Sequence, residues 1–351
     1  MRVGIYYAHL HGSGGYPGDI GALVDGVEEL GHDVVRYPGE SRSARRSSIE
    51  RLRSNRDAIE VLGVFGLFVP SNLAIARAAR RGRIPYVCSL LSQQSPALLG
   101  SGRRLAKSVY AQLYRSAVLR SAAGIHFYSE YERSLWQSTK RLTSFEASLG
   151  VPPPHPELSI GSRENTDQGF TFFGRLDVHQ KGLDILLEAF ALGGPELGDH
   201  RKLSIAGRDY QGSLARLVAL AERLGISDYV TFVGETEDFS PIQQARFLVY
   251  PSRYDGPPRP LRLALSIGVP IIVTDATNMG EGVLEFGAGF SSEATPESLA
   301  RSLTAAARVT DDGLVEMQRN ALRLAERWSW SRVAEDYARG LERVVSTAIS
   351  E

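Results

Sequence analysis

Short apolar runs of strand length recur along this chain, and each is followed by a loop and then a stretch of helical periodicity. The runs fall at Arg2–Tyr7, Asp33–Tyr37, Ala58–Phe65, Tyr86–Leu90 and Gly124–Tyr128. They resume at Gly169–Phe173, Leu203–Ala206, Val230–Val233, Phe247–Tyr250 and Ile271–Thr274. Strands joined through helices must lie parallel, and parallel sheets bury both faces under those helices. The pattern therefore excludes a sandwich or a helical bundle and predicts an α/β chain. In the first unit a Gly-rich loop, His9–Gly18, leads into a helix expected over Asp19–Leu30, and Gly31-His32 ends it. At 351 residues the chain is long for one core, so two domains of roughly 150 residues each are expected.

The break between them is legible as well. A proline-rich stretch, Val151–Pro156, runs into the polar segment Glu157–Gln168. The expected division is an N-terminal domain over 1–155, a linker over 156–168 and a second domain over 169–328. A last helix near Ser331–Ser346, within 329–351, is expected to return to the first domain. In open parallel sheets ligands sit beyond the carboxyl ends of the strands, so the loops after Phe173, Ala206, Val233 and Tyr250 are expected to face a site.

Composition narrows the class. Apolar residues make up 43% and charged residues 23%, which is ordinary globular composition. The one cysteine, Cys88, can form neither an intrachain disulfide nor a thiolate zinc cage, which fits a reducing, cytoplasmic setting. No run approaches the roughly 18 apolar residues of a membrane span, and MRVGIYYAHL reads as a core strand rather than a signal peptide, so a soluble protein is expected. The net charge is zero, yet residues 1–150 hold 20 Lys+Arg against 12 Asp+Glu, and the remainder 20 against 28. The basic half suits an anionic lipid surface or a phosphorylated ligand.

The strongest local pattern is Phe172-Phe173-Gly174-Arg175-Leu176-Asp177, followed by His179-Gln180-Lys181-Gly182-Leu183-Asp184 and apolar positions at Leu183, Leu186, Leu187 and Phe190. A strand ends at a glycine, and two cations bracket a loop that opens onto a helix. Free amides and the dipole at a helix start favour anions, and Arg175 can grip oxygens bidentately, so Arg175 and Lys181 suit a diphosphate. The competing reading makes both of them solvated loop charges.

This segment resembles the donor-binding signature of glycosyltransferase family 4, whose members have the GT-B fold of two Rossmann-like doubly wound domains facing across a cleft. Leu203–Gly207, Val230–Gly234, Tyr250-Pro251-Ser252, Asp255-Gly256 and Gly268-Val269-Pro270 extend the likeness, and Gly14-Gly15, Gly31–Val34 and Ser129 fit it more loosely. The resemblance implies a retaining, metal-independent transfer of sugar from a nucleotide diphosphate sugar to an acceptor. It places Arg175 and Lys181 on the diphosphate and Asp255 with Gly256 at the donor sugar. Gly14, Gly15 and Gly174 would let backbone approach the donor. The loops at Gly207-Arg208 and Glu235-Thr236 would set base and sugar identity. No cofactor is implied, and the chain has no Asp-x-Asp pair of the kind that holds a metal on a diphosphate.

Departures from that family pattern stand beside the matches. The second of two glutamates expected in the last motif is Leu263, and the first is the shorter Asp255. Pro257 and Pro258 lack the amide N–H that the family loop offers, which leaves Gly256 and Arg259 as donors. Leu91 falls where many relatives carry a catalytic-loop histidine. Gln93 and Gln94 are nearby polar groups, and His9, His11 and His126 are fallback candidates with structural roles the commoner alternative. These departures keep two other readings open: a catalytically silent relative that binds a sugar or partner, and a nucleotide-sugar epimerase.

Two stretches bear on the acceptor. Ser41–Arg56 carries arginines at 42, 45, 46, 51, 53 and 56. Arg103–Arg120 has Leu105, Val109, Leu113 and Ala117 at four-residue spacing beside Arg103, Arg104, Lys107, Arg115 and Arg120. Such a helix either packs its stripe into the first domain, the favoured reading, or lies peripherally on an anionic membrane near a lipid-linked acceptor. No nucleic-acid reading motif accompanies the basic half, and none is expected as a partner.

Overall fold

The computed structural model describes residues 1–8, 16–93, 104–136, 142–153, 169–236 and 238–350. The expected linker and the loop carrying Gly14 and Gly15 lie outside the described residues. The chain divides into two compact units, Met1–Gly150 with Trp330–Glu351, and Val151–Ser329.

The first unit contains strands β1 (Arg2–Tyr7), β2 (Asp33–Pro38), β3 (Val61–Phe65), β4 (Tyr86–Ser89), β5 (Gly124–Phe127) and β6 (Thr143–Glu146). Its helices are α1 (Tyr16–Glu29), α2 (Arg42–Ser54), α3 (Asn72–Arg81), α4 (Arg104–Ala117) and α5 (Glu130–Ser134). The second unit contains β7 (Phe170–Phe173), β8 (Leu203–Ala206), β9 (Val230–Gly234), β10 (Phe247–Tyr250), β11 (Ile271–Thr274) and β12 (Gly289–Ser292). Its helices are α6 (Val178–Lys181), α7 (Leu183–Gly193), α8 (Ser213–Arg223), α9 (Ser240–Gln243), α10 (Arg259–Ser266), α11 (Gly280–Phe286), α12 (Pro296–Ala307) and α13 (Asp311–Arg327). The last helix, α14 (Trp330–Ser350), belongs to the first unit and packs against α1 and β6.

Both sheets are wholly parallel and six-stranded, in the orders β2-β1-β3-β4-β5-β6 and β12-β11-β10-β7-β8-β9. Alternation along each strand explains the two layers of core in the first unit. Val3, Ile5, Val61, Phe65 and Val87 join Ile20, Leu23 and Val24 of α1 and Val333, Tyr337 and Leu341 of α14 on one face. Tyr6, Leu62, Val64, Tyr86 and Cys88 share the other face with Leu52, Ile75, Ala79 and Tyr114. Each fully buried Val, Leu, Ile or Phe contributes about 1.5–3 kcal/mol, so neither layer is dispensable. In the second unit Leu183, Leu186, Leu187 and Phe190 form the inward stripe of α7, as their spacing predicts.

Two strands were not legible as apolar runs. Thr143–Glu146 and Gly289–Ser292 are mostly polar, which their edge positions tolerate, each being paired on one side only, through Phe127↔Glu146 and Ile271↔Gly289.

The stripe expected in α4 needs correction. Val109 and Leu113 are 60% and 54% exposed, and Ala111, Tyr114 and, beyond the helix end, Val118 face the core instead. Both sets have helical spacing, but a tyrosine ring buries more apolar area than a valine or leucine, so the Tyr114 face wins the interior.

Candidate functional site

In the second sheet β7 lies between β8 and β10, so the chain's strand order reverses at the β7–β10 seam. Such a reversal opens a crevice beyond the carboxyl ends of the two strands. The loops that leave there are Gly174–Asp177 after β7 and Pro251–Pro258 after β10, with Gly207-Arg208 after the neighbouring β8.

Glycines bring these loops together. Gly174 and Gly207 have φ of +156° and +146°, and a Cβ on Gly207 would overlap the Gly174 carbonyl oxygen. Gly182 caps α6 at φ +65°, and a Cβ there would overlap the Pro251 carbonyl oxygen. The loop bearing Lys181 is thereby seated directly on the loop after β10. The Gly174 N–H donates to Ala206 O (2.9 Å) and the Gly207 N–H to Gly234 O (2.7 Å), which continues the ladder one residue past the strands.

The charged groups follow from this packing. Asp177 is the N-cap of α6, its Oδ1 accepting the Gln180 N–H (3.0 Å), so the short helix starts where the strand loop ends. Lys181 Nζ donates to Asp255 Oδ2, with both side chains 13% exposed, and it lies 5.3 Å from the Tyr250 ring centroid. Tyr250 donates its hydroxyl to Phe173 O, and burial, reinforced by the Asp255 charge, raises its phenol well above the usual range, so it stays a donor. Ser252 Oγ also donates to Asp255 Oδ2 (3.3 Å), and the Asp255 N–H donates to Ala276 O (2.9 Å). Arg175 is more open: it donates to Gln180 Oε1 (2.6 Å) and Asp177 Oδ2 (3.3 Å) while its guanidinium stacks 4.4 Å from the Tyr210 ring centroid.

The other residues expected here are less engaged. Gly256 is buried; Arg208 and Arg259 are exposed, Arg259 at the first position of α10. Thr236 Oγ1 accepts the Asp238 N–H (3.0 Å). Leu263 is packed into the second core. Pro257 and Pro258 are buried, and their carbonyls accept from Arg262, through Nε (3.1 Å) and the backbone N–H (3.1 Å).

Sequence reasoning missed Arg253. Its fork clamps Asp184 through two bonds of 2.8 Å, and it donates to the Val178 and His179 carbonyls (3.3 and 3.2 Å). Its own N–H donates to Gln180 O (2.9 Å). The fork therefore holds the loop that carries Lys181. Asn278, in the left-handed region at φ +61°, donates to the Asp255 carbonyl (2.9 Å) and was also missed. Neither carries a motif, because each acts on groups brought near by the fold.

In the first unit Gly14, Gly15, His9, His11 and Gln94 lie outside the described residues. Leu91 is buried against Tyr7, Val87 and Tyr128. Gln93 Oε1 accepts the Leu67 and Phe68 N–H groups (2.8 and 3.1 Å). His126 is structural: its ring is buried, Nε2 lies 2.7 Å from Ala147 O and Nδ1 2.8 Å from Ser89 Oγ. Nε2 must then carry the proton, and Ser89 donates to Nδ1. Burial holds the imidazole down to about 4, opposed by the Ala147 carbonyl bond.

Among the described residues no group of three or more His, Cys, Asp or Glu gathers as a metal cage, and no helix is long and apolar enough to cross a membrane.

Residues 167–308 match the family model described as glycosyl transferases group 1. A search of curated proteins finds no match. HepE of Anabaena, solved with UDP and glucose, aligns over 98% of this chain and 100% of its own at 16% identity and a TM-score of 0.66. Sucrose-phosphate synthase of Thermosynechococcus elongatus aligns over 99% of both chains at 14% identity and a TM-score of 0.66. The lipopolysaccharide outer core galactosyltransferase WaaB aligns over 98% of this chain and 99% of its own at 14% identity and a TM-score of 0.62. The chain thus has the two-domain α/β GT-B fold of glycosyltransferases, with the group 1 glycosyl transferase match centred on the unit that holds Arg175, Lys181 and Asp255.

Proposed function

We propose that this protein is a retaining glycosyltransferase of family 4 that moves a sugar from a nucleotide diphosphate sugar without a metal ion. One observation carries the reading: Arg175, Lys181 and Asp255 stand on the loops that leave β7 and β10, at the strand-order reversal. Similar solved proteins contain UDP or UDP-glucose, which makes a uridine diphosphate sugar the first donor to try.

In this reading the bond between the anomeric carbon and the diphosphate oxygen breaks, and the oxygen keeps the electron pair. Lys181 and Arg175 meet that charge, the electrostatic contribution that usually dominates such catalysis. The acceptor hydroxyl bonds to the anomeric carbon on the same face and passes its proton to the departing phosphate oxygen, so no enzymatic base is required. For the diphosphate to reach Lys181 it must displace Asp255, whose carboxylate then accepts bonds from donor-sugar hydroxyls beside Gly256. Arg208, Thr236 and Arg259 flank the nucleotide. The acceptor is a small molecule, a glycan or a lipid-linked glycan, handled in the cytoplasm. The solvent-facing Val109 and Leu113 of α4 favour peripheral contact with a membrane that carries it.

Calorimetric titration with UDP and other nucleoside diphosphates tests the donor site, and release of UDP from UDP-glucose tests turnover. Absence of binding by every nucleotide would favour the silent reading that Leu263 keeps open. Conversion of the donor sugar with no acceptor present would instead point to an epimerase.

A further inference from the structure

Leu91 and Ser92, which follow β4, both occupy the left-handed region, at φ +56° and +57°. Two consecutive non-glycine residues there are strained, because each Cβ crowds its own backbone, and such a turn persists only where its surroundings over-determine it. Two side chains do so. Gln93 Oε1 accepts the Leu67 and Phe68 N–H groups, tying the loop after β4 to the loop after β3. Glu132 Oε1 accepts the Ser92 N–H and Oε2 the Tyr128 N–H, both at 2.7 Å, tying the same turn to the loop after β5.

The bland account of Glu132 is a helix cap. Ser129 and Glu132 have capping-box spacing, and Ser129 Oγ accepts the Glu132 N–H at 3.1 Å. A cap carboxylate does not need to be buried, however, nor to reach another loop. Glu132 is 1% exposed and reaches Ser92, 40 residues earlier in the chain. Burying an anion is costly, and accepting two amide donors offsets part of that cost. The three loops joined in this way leave the carboxyl edge of the first sheet, the edge where open parallel sheets bind ligands.

We propose that Glu132 is a positioning residue that locks the Leu91–Ser92 turn at the carboxyl edge of the first sheet, where the acceptor of the transfer proposed above binds. The acceptor assignment rests on that reading of function; the lock does not.

The test uses the full chain and its Glu132→Gln, Ser92→Gly and doubly substituted forms. The Gln93 N–H donates to Leu90 O (3.1 Å) across the turn, so hydrogen exchange in the peptide spanning 89–93 reports the lock. Glutamine keeps one acceptor oxygen and turns an N–H₂ toward the other amide. Exchange in that peptide should quicken at least tenfold in Glu132→Gln, with peptides of β1 and β3 unchanged. Glycine makes the left-handed turn cheap, so adding Ser92→Gly to Glu132→Gln should recover most of the protection, which a merely structural carboxylate would not allow. UDP affinity should match the wild type in all three forms.

Unchanged exchange in Glu132→Gln, or a uniform rise across the first unit that glycine does not reverse, would overturn the lock. A loss of UDP affinity confined to the Glu132 variants would overturn the acceptor assignment. A wild type that binds no nucleoside diphosphate at all would sink the transfer reading, and the acceptor assignment with it, while the exchange data still judge the lock.

Discussion

Lys181 and Asp255 form an ion pair between loops 74 residues apart in the chain, each side chain largely shielded from water. A diphosphate that binds Lys181 competes with this carboxylate, so the two residues should respond oppositely to substitution. Removing the amine in Lys181→Ala should weaken UDP binding roughly tenfold or more, the loss expected for one charged hydrogen bond of about 1.5–3 kcal/mol. Asp255→Asn removes the competitor and should tighten UDP several-fold, while turnover of UDP-glucose falls because the sugar loses its carboxylate. Calorimetry with both variants decides it. Equal weakening in the two would show that Asp255 supports nucleotide binding instead of opposing it.

Arg253 offers a separate check, because it touches only the loop's scaffold. Its fork on Asp184 and its bonds to the Val178 and His179 carbonyls fix the segment that ends at Lys181. Arg253→Ala should lower stability by about 1–3 kcal/mol and weaken UDP indirectly. Arg253→Lys keeps the charge but cannot reproduce the bidentate geometry, so it should recover only part of either effect. Denaturant unfolding and UDP titration on both variants give the comparison. Full recovery by lysine would mean that charge alone matters at this position.

Much of this arrangement was readable in the chain and some was not. The inward stripe Leu183, Leu186, Leu187 and Phe190 was legible because helical spacing and burial select the same positions. The edge strands Thr143–Glu146 and Gly289–Ser292 were not, since their mostly polar residues form no apolar run, whereas the edge strands β2 and β9 kept one. The Tyr114 face of α4 was missed because two apolar stripes share one helix and only packing chooses between them. Arg175 and Lys181 stood out as charges next to a strand-ending glycine. Arg253 to Asp184, Asn278 to the Asp255 carbonyl and Glu132 to the Ser92 amide are contacts between groups distant in sequence, and no local spacing encodes such a contact. The Gly174–Gly207 approach is likewise a product of neighbouring strands, although glycine at both strand ends hinted at it.

Two buried groups in the first unit should give opposite pH dependences of stability. His126 is held down to about 4, mainly by burial, against an ordinary value near 6.5. The unfolded chain therefore takes up that proton first, so the contribution is present above about 6.5 and is lost as pH falls toward 4. Burial pushes Glu132 up to about 7 from an ordinary 4.5, against the opposing Tyr128 and Ser92 amides. Its contribution is present below about 4.5 and is lost as pH rises toward 7. Between roughly pH 4.5 and 6.5 the two slopes, each at most about 1.4 kcal/mol per pH unit, oppose one another. Relative to the wild type, Glu132→Gln should gain stability more steeply with rising pH in this window, and His126→Phe should lose it. Urea unfolding at pH 5 and pH 6.3 measures both, and variant slopes equal to that of the wild type would place the titrations outside the window.

The exposed pair on α4 yields the last prediction. Val109 and Leu113 sit one turn apart and face solvent, while the same helix buries Ala111 and Tyr114. Paired apolar side chains gain nothing from water, and a helix face of this kind in the more basic half of the chain suits an anionic bilayer surface. Vesicles of phosphatidylglycerol and phosphatidylcholine should then sediment the protein, and the fraction bound should fall with added salt. Val109→Glu with Leu113→Glu should reduce sedimentation at least fivefold while leaving UDP affinity and thermal stability unchanged, since neither side chain contributes to the core. Sedimentation that survives both substitutions would move any bilayer contact elsewhere on the first unit, with the arginines of α2 the next surface to test. Absence of sedimentation in the wild type would instead favour a soluble acceptor.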